Sequence, residues 1–345
     1  MNSRSGRSQQ IKHNYTKIYA LTAALCLVVG LIVGLTVAHF VRLDETPAHT
    51  EGPGSPTSFP SETGPLPTET RTEAGTSPST TEPPIGAISW VSKSSADIKT
   101  ANPLLPVSAE LPFTGMPSGV VNIYAKRETR NDRKLQLANS QISVNEEALR
   151  AFEELNFALI ESYPEFELLI LAGMPTDGTT GSLSCSDGNK ELPASDHAAG
   201  YALDARYTTK VDDKTVSYQF SDPIVALQTA FLFEKGAKLG IIQSRVHVEE
   251  RTSSDLRHLR YVGIPHASYI YQNNLTLESY LNEVKGYNIN RRLQIALADG
   301  TLYEVYYVAS SGDTTSVPLP TENVQNNTYT IYGNGTDGFI VTLKK

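Results

Sequence analysis

Ser195–Asp204 reads SDHAAGYALD, and some fifty residues later Asp255–Gly263 reads DLRHLRYVG. Together they offer His197, Asp204 and His258, two imidazoles and a carboxylate. That donor set suits a zinc ion whose fourth position stays open for chemistry. Such a metal polarises a carbonyl and acidifies water, and a nearby carboxylate is then needed to carry the proton to a leaving amine. Asp255, three residues before His258, is the candidate. His/Asp spacings of this sort also arise by chance, so the residues alone leave two readings open: a metal-assisted hydrolase, or ordinary hydrogen-bonded histidines. His247 and Glu249 alternate on an expected strand and read as exposed polar positions. His266 is expected to pack near the helix that follows it.

Outward from these stretches the chain alternates helices and strands. Leu149, Phe152, Leu155, Leu159 and Ile160 recur at helical spacing and predict a helix over Asn145–Ser162. Ser143 and Glu146 supply a capping-box start, and Pro164 follows the end. ELLILA, at Glu167–Ala172, lies between Pro164 and Gly173 and reads as a buried strand. A Gly/Ser/Thr-rich loop runs on to about Pro193. Ser221-Asp222-Pro223 opens a second helix with Ile224, Leu227, Ala230, Phe231 and Phe233 as its apolar residues, and Gly240 closes it. Strands are expected at Ile241–Val248 and Leu256–Val262, and a helix at Leu277–Lys285 with Thr276 as its cap. Two strand-like runs flank Asp299-Gly300, a strong hairpin signal, and a last strand is expected at Phe339–Leu343.

Composition sets the limits. The 345 residues carry 29 Lys+Arg against 37 Asp+Glu, a formal charge of −8, which argues against a nucleic-acid partner. Ile18–Val41, IYALTAALCLVVGLIVGLTVAHFV, has no formal charge and is long enough to cross a bilayer. Arg4, Arg7, Lys12 and Lys17 precede it and only Arg42 follows closely, so the N-terminus is expected in the cytoplasm and the rest outside. The alternative is a cleaved signal peptide ending at Thr36-Val37-Ala38. Residues 42–87 are rich in Pro, Ser and Thr and read as a disordered stalk. Cys26 and Cys185 fall on different sides of this arrangement, which excludes a disulfide between them. The expected organisation is a cytoplasmic tail (1–17), a transmembrane helix (18–41), the stalk (42–87), a folded domain (88–286) and a small C-terminal β module (287–345). No phosphate-binding glycine loop and no GxSxG nucleophile motif occurs.

SDHAAGYALD resembles the SxHxxGxAxD motif of the zinc D-alanyl-D-alanine carboxypeptidases of the vancomycin-resistance type. DLRHLRYVG resembles that family's ExWHxRYVG motif, and GIIQSR at Gly240–Arg245 is similar to its GFxxRY strand. The resemblance covers roughly residues 98–285. It implies an α+β fold, a small mixed or antiparallel sheet flanked by helices. His197, Asp204 and His258 would be the Zn2+ ligands, Asp255 would stand where the family has its catalytic Glu, and Ser195 would line the substrate site. Three residues depart from the pattern. Asp255 is one methylene shorter than Glu. AGMPTDGTTG replaces a segment that carries a substrate-binding Arg, which leaves Arg206, Lys190 or Arg127 to meet a substrate carboxylate. Arg257 replaces a Trp beside the ligand histidine. The implied function is removal of terminal D-alanine from peptidoglycan stem peptides at the outer face of a Gram-positive bacterial membrane. The alternative is a weakened or inactive homologue that binds the cell wall or a protein.

Overall fold

The computed structural model describes residues 86–127, 135–175, 182–185, 188–191, 195–243 and 257–345. The expected cytoplasmic tail, the apolar span and nearly all of the stalk lie outside the described residues, as do Asp255, His247 and Glu249. No helix among the described residues is long and apolar enough to cross a membrane.

In chain order the elements are β1 (Ile88–Ser94), β2 (Val120–Asn122), α1 (Ile123–Arg127), β3 (Gln136–Leu137), β4 (Ile142–Asn145), α2 (Glu146–Ser162) and β5 (Glu167–Ala172). Then follow β6 (Met174–Pro175), β7 (Ser182–Cys185), β8 (Gly188–Glu191), a 3-10 turn at Asp196–Ala199, β9 (Ala202–Val211), β10 (Lys214–Tyr218) and α3 (Ala226–Lys238). The last part holds β11 (Ile241–Gln243), β12 (His258–Tyr261), α4 (Ile264–Gln272), α5 (Leu277–Val284), β13 (Leu293–Ala296), β14 (Leu302–Ala309), β15 (Thr314–Pro320), α6 (Thr321–Gln325), β16 (Tyr329–Gly333) and β17 (Gly338–Lys344). The architecture is α+β.

The sheet that positions the site has the order β11-β12-β9-β5-β3, with β10 also paired to β9. Its pairings are antiparallel except β3 with β5. Helix α2 covers one face: Leu149, Phe152, Leu155 and Leu159 bury against Leu168 and Ile170 of β5 and Leu203, Ala205 and Tyr207 of β9. Asn156 of α2 ties the two layers by accepting a hydrogen bond from the Leu168 backbone N at 2.9 Å. The expected cap at Ser143 is displaced by two residues. Ser143 lies within β4, between Asn122 and Met174, and Asn145 caps α2 by accepting from the Glu147 N at 2.9 Å. Strand pairing thus carries the extended backbone past Ser143 to the next residue able to cap.

α3 starts later than its sequence signal. Pro223–Val225 forms a separate 3-10 turn, and the helix proper begins at Ala226. Ile224 and Leu227, expected to face the core, are exposed instead, while Val225, Leu232 and Ala237 are buried. The turn ahead of the helix shifts its phase and so rotates the apolar face. Gly240 then takes φ +88°, where a Cβ would stand 2.7 Å from the Tyr261 ring.

The C-terminal strands form a sheet of order β13-β14-β17-β16, with β13 and β14 joined around Asp299-Gly300. This segment does not stand apart. β15 pairs with β1 along Ile88–Ser94, and Leu293, Ile295, Val305 and Ile340 share one core cluster with Val262, Ala267, Ile270, Leu277 and Leu281. His266, expected ahead of a helix, lies inside α4, where Pro265 in the first turn sets the helix start. Its Nδ1 is 2.6 Å from the Tyr280 hydroxyl of α5 and its Nε2 3.2 Å from the Thr342 hydroxyl of β17.

Candidate metal centre

β12 runs antiparallel to β9 with His258 directly opposite Asp204. Residues 202, 204 and 206 share one face of β9, and 258 and 260 one face of β12, so this register brings an imidazole beside a carboxylate. On the other side of β9, the pairing with β5 is interrupted between Ile170 and Ala172, and Ala172 stands opposite Asp204. Such a bulge re-aims side chains where pairing is broken.

His197 arrives from the 3-10 turn. Ser195 caps that turn, and its hydroxyl lies 2.9 Å from His197 Nδ1. Gly200 ends the turn at φ +80°, and a Cβ there would lie 2.9 Å from Val120 Cγ2. The chain turns directly into β9 at this point, and only glycine fits both the conformation and the space.

His197, Asp204 and His258 each bring a ligand atom to within 4.8 Å of one another. His197 Nε2 is 3.5 Å and His258 Nδ1 2.8 Å from Asp204 Oδ1, and the imidazole rings meet edge to face at 4.8 Å. His197 is fully buried, Asp204 1% exposed and His258 4% exposed. Burial favours a neutral Asp204, yet His197 and His258 hold its carboxyl far below the usual carboxylate range. Burial also opposes charge on His258, yet Asp196 and Asp204 hold its proton well above the ordinary histidine range. Asp204 therefore stays ionised, with one nitrogen of each ring turned toward it. Two imidazoles and one carboxylate, dry and converging, fit a zinc ion.

The other sequence candidates are placed unequally. Ser195 is fully buried and serves His197. Arg257 sits at the edge, its Nε 3.9 Å from Asp204 Oδ2 and its side chain 32% exposed. Arg206 follows Asp204 on the same face of β9, half-buried, and its Nε has no hydrogen-bond partner among the described residues. Asp255 and the side chains of Lys190 and Arg127 lie outside the described residues. Sequence reasoning missed Asp196 and Arg260. Asp196 Oδ2 is 3.5 Å from His258 Nε2, and its other oxygen accepts from Arg260 Nη1. Both residues sit inside the quoted motifs, and an acid and a base each two positions or fewer from a ligand was the available signal.

No protein-family profile matches the chain. A stretch of 86 residues is 35% identical to a D-alanyl-D-alanine carboxypeptidase of Enterococcus faecium, and spans 25% of this chain and 25% of that relative. Among solved structures, the vancomycin-resistance D,D-dipeptidase VanXYg, in complex with a D-Ala-D-Ala phosphinate analogue, superposes with a TM-score of 0.56 at 20% identity. The match covers 75% of this chain and 100% of that one. More distantly, at 18% identity and a TM-score of 0.33, a mutant of the D,D-pentapeptidase VanY in complex with Zn(II) covers 52% of this chain and 99% of its own. The chain thus shares its α+β fold with a D-Ala-D-Ala peptidase of the vancomycin-resistance type. Over about a quarter of its length it is also similar in sequence to a carboxypeptidase of that specificity.

Proposed function

We propose that this chain is a zinc-dependent carboxypeptidase that removes terminal D-alanine from peptidoglycan stem peptides, held outside the cell by the apolar segment 18–41. The observation that carries the reading is the buried convergence of His197, Asp204 and His258 in a fold shared with D,D-peptidases. When bound, zinc would polarise the scissile carbonyl and lower the pKa of the attacking water. Asp255 is assigned the proton relay to the leaving D-alanine, from its place three residues before His258. Arg257, at the rim beside Asp204, and Arg206, along the same strand face, are the cations available to a substrate carboxylate. Ser195 holds the ring of His197 through Nδ1 and leaves Nε2 facing Asp204.

The test is D-alanine release from a muropeptide ending in D-Ala-D-Ala by the zinc-loaded fragment 78–345, with a chelated control. Release that chelation stops is expected. No release from a zinc-loaded, folded sample would overturn the activity. His258→Ala is expected to abolish both tight zinc binding and hydrolysis.

One observation favours a second reading, a binding module without catalysis. The Arg257 guanidinium already stands 3.9 Å from Asp204, where it offsets the negative charge a metal would use. Arg257→Trp separates the two. A gain in zinc affinity with appearance of activity favours a detuned enzyme, and inactivity with unchanged wall binding favours the module.

A further inference from the structure

The two imidazoles of the centre turn opposite nitrogens toward Asp204. His197 presents Nε2, because Ser195 occupies its Nδ1 side. His258 presents Nδ1, at 2.8 Å, so its Nε2 points away from the cluster. That Nε2 is buried without a hydrogen bond in this geometry and faces Asp196 Oδ2 at 3.5 Å. An imidazole that ligates through one nitrogen carries its proton on the other, and the partner of that N–H fixes the tautomer and the ring plane. Asp196 cannot join the same ion, since it lies across the ring from Asp204.

Asp196 is itself clamped. Its second oxygen accepts from Arg260 Nη1, and Arg260 Nη2 donates to the backbone carbonyls of Pro103, at 3.2 Å, and Leu105. Arg260 is 1% exposed, among the largest buried side chains of the protein. A buried ion pair of this kind is a weak stability device, because apolar side chains of equal volume serve as well or better. Its use at this position needs another reason, and the orientation of His258 supplies one.

We propose that Asp196, locked in place by Arg260, is the positioning residue for His258: it accepts the Nε2–H and so presents Nδ1 to the metal. Arg260 in turn joins the Pro103–Leu105 segment to the centre, so the metal site senses the packing of a segment some ninety residues upstream of the first motif. This rests on the metal-centre reading above.

The experiment measures zinc affinity of the full-length chain in detergent micelles by chelator competition, beside the thermal midpoint of the metal-free protein. Asp196→Asn is expected to weaken zinc binding about 10–100-fold, the range for loss of a carboxylate that orients a ligating histidine. Asp196→Glu is expected to recover most of that loss. Should Asp196→Asn fail to fold with Arg260 left unpaired, the double variant Asp196→Asn with Arg260→Met removes both charges and is expected to fold and show the same loss. In the zinc-loaded parent, ring-nitrogen NMR is expected to place the His258 proton on Nε2. Unchanged zinc affinity in a folded Asp196 variant, or a proton on Nδ1, would overturn this inference alone. A parent chain that binds no zinc would overturn the metal-centre reading with it.

Discussion

Asp204 concentrates the chemistry of this molecule. It is a carboxylate almost without solvent, with two imidazoles at one oxygen and a guanidinium near the other. The roles proposed around it are separable by substitution. Asp255→Asn is expected to lower hydrolysis by about 10²–10⁴-fold while zinc affinity stays unchanged, because a proton relay adds to rate and not to metal binding. Comparing kcat with the chelator-competition constant checks this, and a parallel loss of zinc would remove Asp255 from the relay. Arg257→Ala is expected to raise KM about 10-fold or more for a peptide with a free C-terminal carboxylate, the size of a charge-assisted hydrogen bond. A fall in kcat at constant KM would assign Arg257 to the reacting centre instead. The three candidate ligands were legible in the chain, because they sit at fixed intervals in two short stretches. The pairing of Asp196 with Arg260 was not, since an acid and a base sixty-four residues apart become partners only when β12 lies beside the turn before β9.

Two elements carry separate devices, one at the centre and one in the core. The Asp196–Ala199 turn depends on Gly200, whose φ of +80° and close approach to Val120 admit no side chain. Gly200→Ala is expected to cost about 1–3 kcal/mol from its backbone conformation alone. It should also weaken zinc binding as His197 moves, so a denaturation midpoint and a zinc titration should shift together. Helix α4 carries the second device. His266 is buried between Tyr280 and Thr342, and burial pushes its pKa down to about 3. The unfolded chain therefore takes up this proton at higher pH than the native one. His266 leaves stability intact above about pH 6.5 and erodes it by about 1.4 kcal/mol per pH unit as pH falls from there toward about 3. Denaturant unfolding at pH 7, 6, 5 and 4 should show this slope in the parent and a shallower one in His266→Gln. Equal slopes would mean that His266 is protonated in the native state. β5, α5 and the Asp299-Gly300 hairpin follow their sequence signals closely, because each has one clear apolar pattern and local punctuation. α3 does not, because a proline three residues before it opens a separate turn and changes its phase.

Across the molecule, the C-terminal strands are tied to the site-bearing part by strand pairing, a shared core and hydrogen bonds. β15 pairs with β1, a common apolar cluster joins β13, β14 and β17 to α4 and α5, and His266 bonds across to Thr342. The fragment 78–345 is accordingly expected to unfold in one calorimetric transition. Truncation before Tyr287 removes the partner of β1 and the part of that cluster contributed by Leu293, Ile295, Val305 and Ile340, and is expected to abolish cooperative unfolding and zinc binding together. A truncated fragment that melts cooperatively and keeps its zinc affinity would show the C-terminal strands to be a separate module.

Helices α2 and α5, strand β5, the Asp299-Gly300 hairpin and the three ligand candidates could be read along the chain, because each rests on spacing within a few residues. The pairing of β1 with β15, the shared core of α4, α5 and the last sheet, and the Arg260–Asp196–His258 chain could not. The β1–β15 pairing and the contacts of Asp196 join residues from roughly sixty to over two hundred positions apart, where composition and periodicity carry no information. Only the closing of the sheets brings them within reach of a hydrogen bond.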